Sequence, residues 1–483
     1  MHPRIVRRSA AIFTALIAVP VTSISAAGQT GGEDTAATID ARADRYGAIA
    51  KQIWDLAEVG YQEERSSELL RWELEESGFT VQNGVAGMPT AFVASYGSGE
   101  PVIAILAEFD ALPGISQAAV PERQPLDQAA GHACGHHLFG TASTAAGIAT
   151  REWLEATGTK GTVRVYGSPA EEGGAGKVYM ARAGLFDDVD VVLHWHPGDR
   201  NDASPSASLA NKSAKFRFAG LSSHAAASPE RGRSALDGVE AMNHMVNLMR
   251  EHIPQEARIH YVITHGGSAP NVVPDFAEVY YYVRHPDVAT AVALFERVAQ
   301  AAEGAALGTE TTMEYEVIHG LYNLMPNETL AGVVYENLVT VGGFDYDAHE
   351  QAFAEEIRQT LGDVDLPLDS HALVQPFEMP TGFNGSTDVG DVSWLVPTAE
   401  LSAATWVPGT SAHSWQAIAA GGTSIGTKGM LVAAKTLAAT ATQLFQSPQT
   451  ITLATAELHG RRGADFMYQA LVGDRKPPLD YRR

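Results

Sequence analysis

The chain has 483 residues, 45% of them apolar, with 57 acidic against 33 basic side chains and a formal net charge of −24. That charge argues against nucleic acid or an anionic membrane as partner, since both would repel it, yet a bound metal or a local arginine can still admit an anionic small molecule. The length exceeds what one ordinary core fills and predicts two domains, with one inserted in the other.

The first segment has the pattern of an export signal. Arg4, Arg7 and Arg8 precede an apolar run over residues 10–21, and Ser25-Ala26-Ala27 provides a small-x-small cleavage site. A leader over residues 1–27 and a periplasmic or secreted mature protein are therefore expected, with the twin-arginine route left open by Arg7-Arg8. No later apolar run reaches membrane length, so the mature form is expected to be free of the membrane. Cys134 is the single cysteine, which excludes an intramolecular disulfide.

Helical apolar spacing covers residues 36–59 and 65–78. Strand-like runs follow at 90–96 and 101–108. The second reads P-V-I-A-I-L-A-E, the continuous apolar run of a central strand covered on both faces. It leads to Glu108 and Asp110 at a carboxyl edge, where α/β sheets build their sites. Residues 131–139, G-H-A-C-G-H-H-L-F, gather Cys134 with His132, His136 and His137. A helix over 140–157, a strand over 162–166, the loop holding Glu171-Glu172, a further helix and a strand over 189–193 come next. That strand ends in His194-Trp195-His196-Pro197. The alternation predicts an α/β domain with a mostly parallel sheet flanked by helices.

From residue 208 the texture changes. A strand at 214–218, a helix at 234–253, strands at 258–264 and 278–283, a helix at 288–307 and a strand at 312–318 give the β-α-β-β-α-β order of a ferredoxin-like α+β module. The expected organisation is an α/β domain over 33–207 and 321–460, a module inserted at 208–320, and a tail at 461–483. The second α/β part carries helices at 327–341 and 348–361, a site-like loop with Asp388 and Asp391, a strand near 399–401, His413, and a final helix at 428–445.

Cys134/His136, Glu171/Glu172, His194/His196 and His413 are separated clusters that end or follow strands. Together they supply thiolate, carboxylate and imidazole in the numbers a two-metal site requires. Adjacent carboxylates repel unless each has its own partner, so one of Glu171 and Glu172 can hold metal while the other takes a proton. Without a metal, Cys134 reads as a small buried apolar residue and Glu171-Glu172 as a solvated acidic loop.

The segments G-H-A-C-G-H, P-A-E-E-G-G, W-H-P, G-L-S-S-H-A and G-T-S-A-H-S-W resemble the metal-dependent aminoacylase and carboxypeptidase G family. The resemblance covers residues 46–445 and is strongest to the branch typified by the B subunit of p-aminobenzoyl-glutamate hydrolase. It implies a zinc-peptidase-like fold with a ferredoxin-like lid that forms a homodimer. It also implies two divalent ions per subunit (zinc, manganese or cobalt) and hydrolysis of the amide of N-acyl amino acids, aroyl-glutamates or dipeptides. Cys134, His136, Glu172 and His413 match the metal ligands. The remaining ligand is His196 by the pattern of this branch, or His194 by the aminoacylase pattern. Glu171 matches the general base, and His224 the lid histidine that polarises the scissile carbonyl, often across the dimer. Asn271 matches a residue near the substrate carboxylate, and Arg284 is a further anion partner. The chain departs from the family at His137, where relatives carry Asp or Asn; His137 and His132 are open as extra ligands or supports, and Asp388 and Asp391 have no assigned role.

Other classes leave their own marks. Cys134 paired with a histidine would make a thiol hydrolase. Gly422-Thr-Ser424-Ile-Gly426 matches the serine-hydrolase elbow in letters, but no strand precedes it and His459 then Asp465 follow in the wrong order. A non-catalytic binding protein would show loss of Glu171 or a ligand, and none is lost.

Overall fold

The structure, a computed structural model, describes residues 26–379, 382 and 385–482; the expected leader, apart from residues 26 and 27, lies outside them. Helices α1 (Ala26–Asp40) and α2 (Ala43–Leu56) stand where apolar spacing predicts one helix over 36–59. The ladder breaks at residues 41–42, so the two helices pack separately and α2 turns Tyr46, Ile49 and Ile53 inward. Helix α3 (Glu64–Glu76) leads to β1 (Thr80–Asn83), β2 (Phe92–Ser98) and β3 (Val102–Ala107). A two-residue ladder, β4 (Leu112–Pro113) with β5 (Ala130–Gly131), precedes α4 (His136–Thr157). Strand β6 (Gly161–Gly167), α5 (Gly176–Arg182) and β7 (Val191–Gly198) complete the first part.

β3 is buried at every position and divides the α/β domain in two. Ile103, Ile105 and Ala107 join the core beneath α4, whereas Val102, Ala104 and Leu106 join the core on the other face with α5. Both faces must be apolar for this to occur, which is why the run is continuous rather than alternating.

The inserted module comprises β8 (Ala210–Ala219), α6 (Ala235–Met249), β9 (Arg258–His265), β10 (Phe276–His285), α7 (Val288–Thr309) and β11 (Thr312–Leu321). Its antiparallel sheet has the order β11-β8-β10-β9, the ferredoxin-like arrangement, with its own core of Phe216, Phe218, Met242, Tyr281 and Phe295.

The α/β domain resumes with α8 (Glu328–Val341), α9 (Ala348–Thr360), α10 (Val389–Ser393), β12 (Thr398–Ala404), α11 (Trp415–Gly421), α12 (Ser424–Gln446) and α13 (Pro448–Arg462). The main sheet has the order β1-β2-β6-β3-β7-β12, parallel from β6 to β12 and antiparallel at β1 and β2. Chain order moves from β3 to β6 on one side and then to β7 on the other. The carboxyl ends of these strands therefore open a cleft at the switch point.

Three local expectations differ from what forms. β7 continues through His194 and His196 to Gly198, because pairing with β12 extends the ladder past the apolar run. A further helix, α13, follows the one expected at 428–445; only Ile451, Ala454 and Leu458 anchor it, a stripe too thin to stand out in the sequence. Residues 464–482 pack back on the α/β domain: Val472 is buried, Gln62 donates to the Leu479 carbonyl and Arg182 to that of Gly473.

Gly135 starts α4 at φ +76°, and a Cβ there would come 2.7 Å from Pro197 Cβ. Gly158, at φ +65°, has nothing within 4 Å of that position. Gly158→Ala should therefore cost only the left-handed backbone penalty of about 1–2 kcal/mol, and Gly135→Ala clearly more. Denaturant unfolding of both variants checks this; equal losses would mean that the Pro197 contact yields freely.

Candidate metal centre

Each ligand-type side chain is positioned by a backbone feature. Gly135 turns the chain between Cys134 and His136, so the histidine begins α4. Ala170 and Ala175, both left-handed, bracket the Glu171-Glu172 turn after β6. His194 and His196 alternate along β7 and so share one face of the sheet. His413 is left-handed at φ +62°, and its N–H donates to the Ala133 carbonyl at 2.9 Å. That bond ties the His413 loop to the Cys134 turn, and a non-glycine residue at such φ is held there only by its surroundings.

These turns bring two groups of donors together around one sulfur. Cys134, His136 and His196 offer atoms within 4.8 Å of one another, and so do Cys134, Glu172 and His413. Cys134 Sγ lies 3.4 Å from His196 Nε2, and His413 Nε2 lies 3.2 Å from Glu172 Oε1. Glu108, His136 and Glu171 form a third group of the same compactness, with His136 Nε2 3.2 Å from Glu108 Oε2.

Supporting bonds orient the donors. His136 Nδ1 donates to Asp110 Oδ1 at 2.9 Å, and the Glu172 N–H donates to Asp110 Oδ2 at 2.9 Å, so one carboxylate holds two clusters. His196 Nδ1 donates to the Pro197 carbonyl at 2.8 Å, which leaves its Nε2 toward Cys134. Glu63 accepts from the Ala170 N–H at 2.8 Å and from Thr90 Oγ1 at 3.0 Å, fixing the turn before Glu171. From the far side, Tyr481 and Arg482 donate to the Glu172 carbonyl at 3.1 and 2.6 Å.

The centre concentrates negative charge in a buried space. Lys177 sits beneath it, wholly buried, with Nζ 2.6 Å from Glu108 Oε1 and 2.7 Å from Asp388 Oδ1. Burial pushes the Cys134 thiol up. It also raises Glu171 well above the usual carboxylate range, helped by Glu108, Glu172 and Asp388. Burial alone would lower His136, but Cys134, Glu108 and Asp110 outweigh it and raise the imidazole well above its ordinary value. Burial likewise opposes ionisation of Glu172, yet the facing His413 imidazole and the nearby His136 bring it below the usual value. Glu108 Oε2, His136 Nε2 and Glu172 Oε1 are buried without a hydrogen-bond partner. Sulfur, imidazole nitrogen and carboxylate oxygen with free lone pairs at this spacing fit a pair of borderline-soft divalent ions.

The other residues singled out in the sequence fall elsewhere. His194 Nε2 lies 3.3 Å from Glu400 Oε2 on β12, outside all three donor groups. His132 and His137 face away, bonded to the carbonyls of Ile53 and Gly421 at 3.0 Å, and burial keeps both imidazoles low. Asp388 pairs with Lys177, while Asp391 accepts from the Tyr322 N–H and from the Tyr468 hydroxyl. Ser424 opens α12 with Thr423 as its cap, and no strand leads into it. Within one chain His224, Asn271 and Arg284 lie on the lid and do not line the cavity at the centre. Lys177, Glu63 and the double role of Asp110 escape sequence reasoning. A lysine in a first helical turn ordinarily faces solvent, and nothing local marks it as buried.

A family model described as a peptidase dimerisation domain matches residues 210–327. The B subunit of p-aminobenzoyl-glutamate hydrolase from Escherichia coli is 45% identical over 84% of this chain and 90% of its own length. Mouse Xaa-Arg dipeptidase is 32% identical over 89% of this chain and 93% of its own. Among solved structures, a dinuclear metal-binding peptidase of the M20 family from Bacillus subtilis shares the fold with a TM-score of 0.56 at 21% identity, covering 84% of this chain and 99% of that one. The chain belongs to the M20 family of metal-dependent amidohydrolases.

Proposed function

We propose that this hydrolase cleaves the amide bond of N-acyl amino acids, aroyl-glutamates or dipeptides, with Glu171 as general base. The observation that carries the reading is the pair of donor groups sharing Cys134, with Glu171 on the same cavity wall. Cys134, Glu172 and His413 would hold one ion, and Cys134, His136 and His196 the other, with zinc, manganese or cobalt as the suitable metals. Bound there, the ions would polarise the scissile carbonyl and make water a nucleophile near neutral pH. Glu171, raised by burial and its carboxylate neighbours, takes the proton from the attacking water and returns it to the leaving nitrogen. Asp110 keeps His136 in the tautomer whose Nε2 faces the centre, and by the same carboxylate holds the Glu172 backbone.

His224 is proposed to act from the lid of a second subunit as oxyanion donor, since it does not line the centre of its own chain. Asn271 and Arg284 would serve the substrate carboxylate from the same side. The lid is proposed to form the homodimer interface; because the Escherichia coli relative is itself one of two homologous hydrolase subunits, pairing with a homologous partner is the alternative. Arg4, Arg7, Arg8 and the apolar run after them support export, which cell fractionation and N-terminal sequencing of the mature protein test. A thiol mechanism has one observation in its favour, the 3.4 Å approach of Cys134 to His196. Burial raises this thiol, however, whereas a nucleophilic cysteine needs it lowered.

Glu171→Gln should keep its metal yet lose at least about a hundredfold in kcat, measured on benzoyl-amino acids with metal content by mass spectrometry; retained turnover would remove Glu171 from the mechanism. Asp110→Asn should weaken metal affinity about 10- to 100-fold, read by competition with a chromogenic chelator. Glu171→Gln and His224→Ala, each inactive alone, should regain about a quarter of wild-type activity after subunit exchange, because one site of the mixed dimer has both groups intact. No recovery in a verified mixed dimer would place His224 in its own chain's site or outside the chemistry.

A further inference from the structure

The cavity at the metal centre, about 570 Å³, extends past the ligands toward β12, residues 202–208 and the loop at residues 385–389. Its far wall has a one-sided charge. Glu400 and Asp202 line it together with Ser204, Ser206 and Ser402, and no lysine or arginine is among the described residues that line it. The nearby buried cation, Lys177, is already engaged by Glu108 and Asp388.

The wall is built by the sheet. Parallel pairing sets Glu400 of β12 opposite His194 of β7, and an antiparallel bridge sets Asp202 opposite Ser402. Ser206 donates to Glu400 Oε1, and the Glu400 side chain keeps 21% of its surface open. Asp202 accepts from the Ser204 N–H at 2.7 Å through one oxygen. A second, independent feature points to a ligand. His194, 3% exposed, lines the same wall, and its Nε2 makes no hydrogen bond although Glu400 Oε2 is 3.3 Å away. Arg200, which attracts Asp202, is itself bound to Asp199 at 2.8 Å and does not line the wall, so the two carboxylates still repel, and a cationic group between them would satisfy both and reach the open His194 nitrogen. A second carboxylate, such as the side chain of a glutamate product, would meet like charge here.

We propose that this cavity receives a positively charged end of the substrate, an ammonium or guanidinium group held between Glu400 and Asp202. The inference rests on the amide-hydrolase reading and narrows its substrates to acyl-amino acids or dipeptides that carry a cation. Glu400 and Asp202 are then specificity residues that hold the substrate while Glu171 and the ligand set perform the chemistry.

Matched substrates test it with the metal-loaded, full-length mature protein. Benzoyl-lysine against benzoyl-norleucine places a cation on the leaving side, β-alanyl-leucine against butanoyl-leucine places one on the acyl side, and benzoyl-glutamate is the anionic control. In one pair the cationic member should lead in kcat/KM by at least about tenfold, and Glu400→Gln should cut that ratio about tenfold with unchanged metal content and circular dichroism. Preference for the neutral or anionic member throughout, or a cationic preference that survives both Glu400→Gln and Asp202→Asn, overturns the proposal. Binding separates it from the hydrolase reading. Calorimetry should show pentylamine binding more tightly than pentanol and losing that advantage in Glu400→Gln, whether or not any amide is cleaved; equal binding of the two overturns it. No turnover across the whole panel would sink the hydrolase reading while leaving the amine result to decide the pocket.

Discussion

The structure depends on balancing negative charge buried at the ends of parallel strands. Glu108, Glu171, Glu172, Asp110, Asp388 and the Cys134 thiol converge where β3, β6 and β7 end, and Lys177 is the one buried lysine set among them in the described residues. Lys177 can answer Glu108 and Asp388, and Asp110 is answered by His136 and a backbone N–H. That leaves Cys134, Glu171 and Glu172 facing the cavity with raised proton affinity or with only an imidazole for company. Like charges in a low-dielectric space are tolerated when cations join them. The same imbalance that makes the site costly in isolation makes it a receptor for divalent ions.

Geometry makes that receptor specific. The switch in chain order at β3 opens the cleft, and left-handed residues at Gly135, Ala170, Ala175 and His413 aim the turns into it. Distant segments then lock the turns in place: Asp110 clamps His136 and Glu172, the Ala133 carbonyl holds His413, and Tyr481 with Arg482 close over the Glu172 backbone. The loops that carry the chemistry are thus as constrained as the strands beneath them. This is what a ligand set needs if it is to impose its spacing on a metal.

Much of this is legible in the chain because the chemistry is local. Cys134 and His136 are two residues apart, Glu171 and Glu172 adjacent, and their neighbours are small or apolar, so each cluster announces itself before any fold is known. The ferredoxin-like module is legible for the same reason, since its β-α-β-β-α-β order is written in alternating periodicities. What depends on distant partners is not legible. That His196 and not His194 falls within a donor group depends on the Pro197 carbonyl and on the position of Glu400 on another strand. Lys177 resembles a surface lysine until Asp388 is brought beneath it, and Asp110 gains its double role only when β6 delivers Glu172. Helix α13 and the packed segment after it lack a broad apolar stripe and are held by hydrogen bonds to partners far along the chain. The action proposed for the lid residues would need a second subunit, which no pattern within one chain can place.

Everything proposed for the centre requires that one sulfur serve both ions. X-ray absorption at the metal edge of the fully loaded protein tests it directly, because a thiolate scatters at about 2.3 Å, beyond nitrogen and oxygen ligands. A shared Cys134 predicts one sulfur neighbour for every ion and none in the metal-reconstituted Cys134→Ala variant. Sulfur on only half of the ions, or on none, would contradict the shared centre and require a different ligand set.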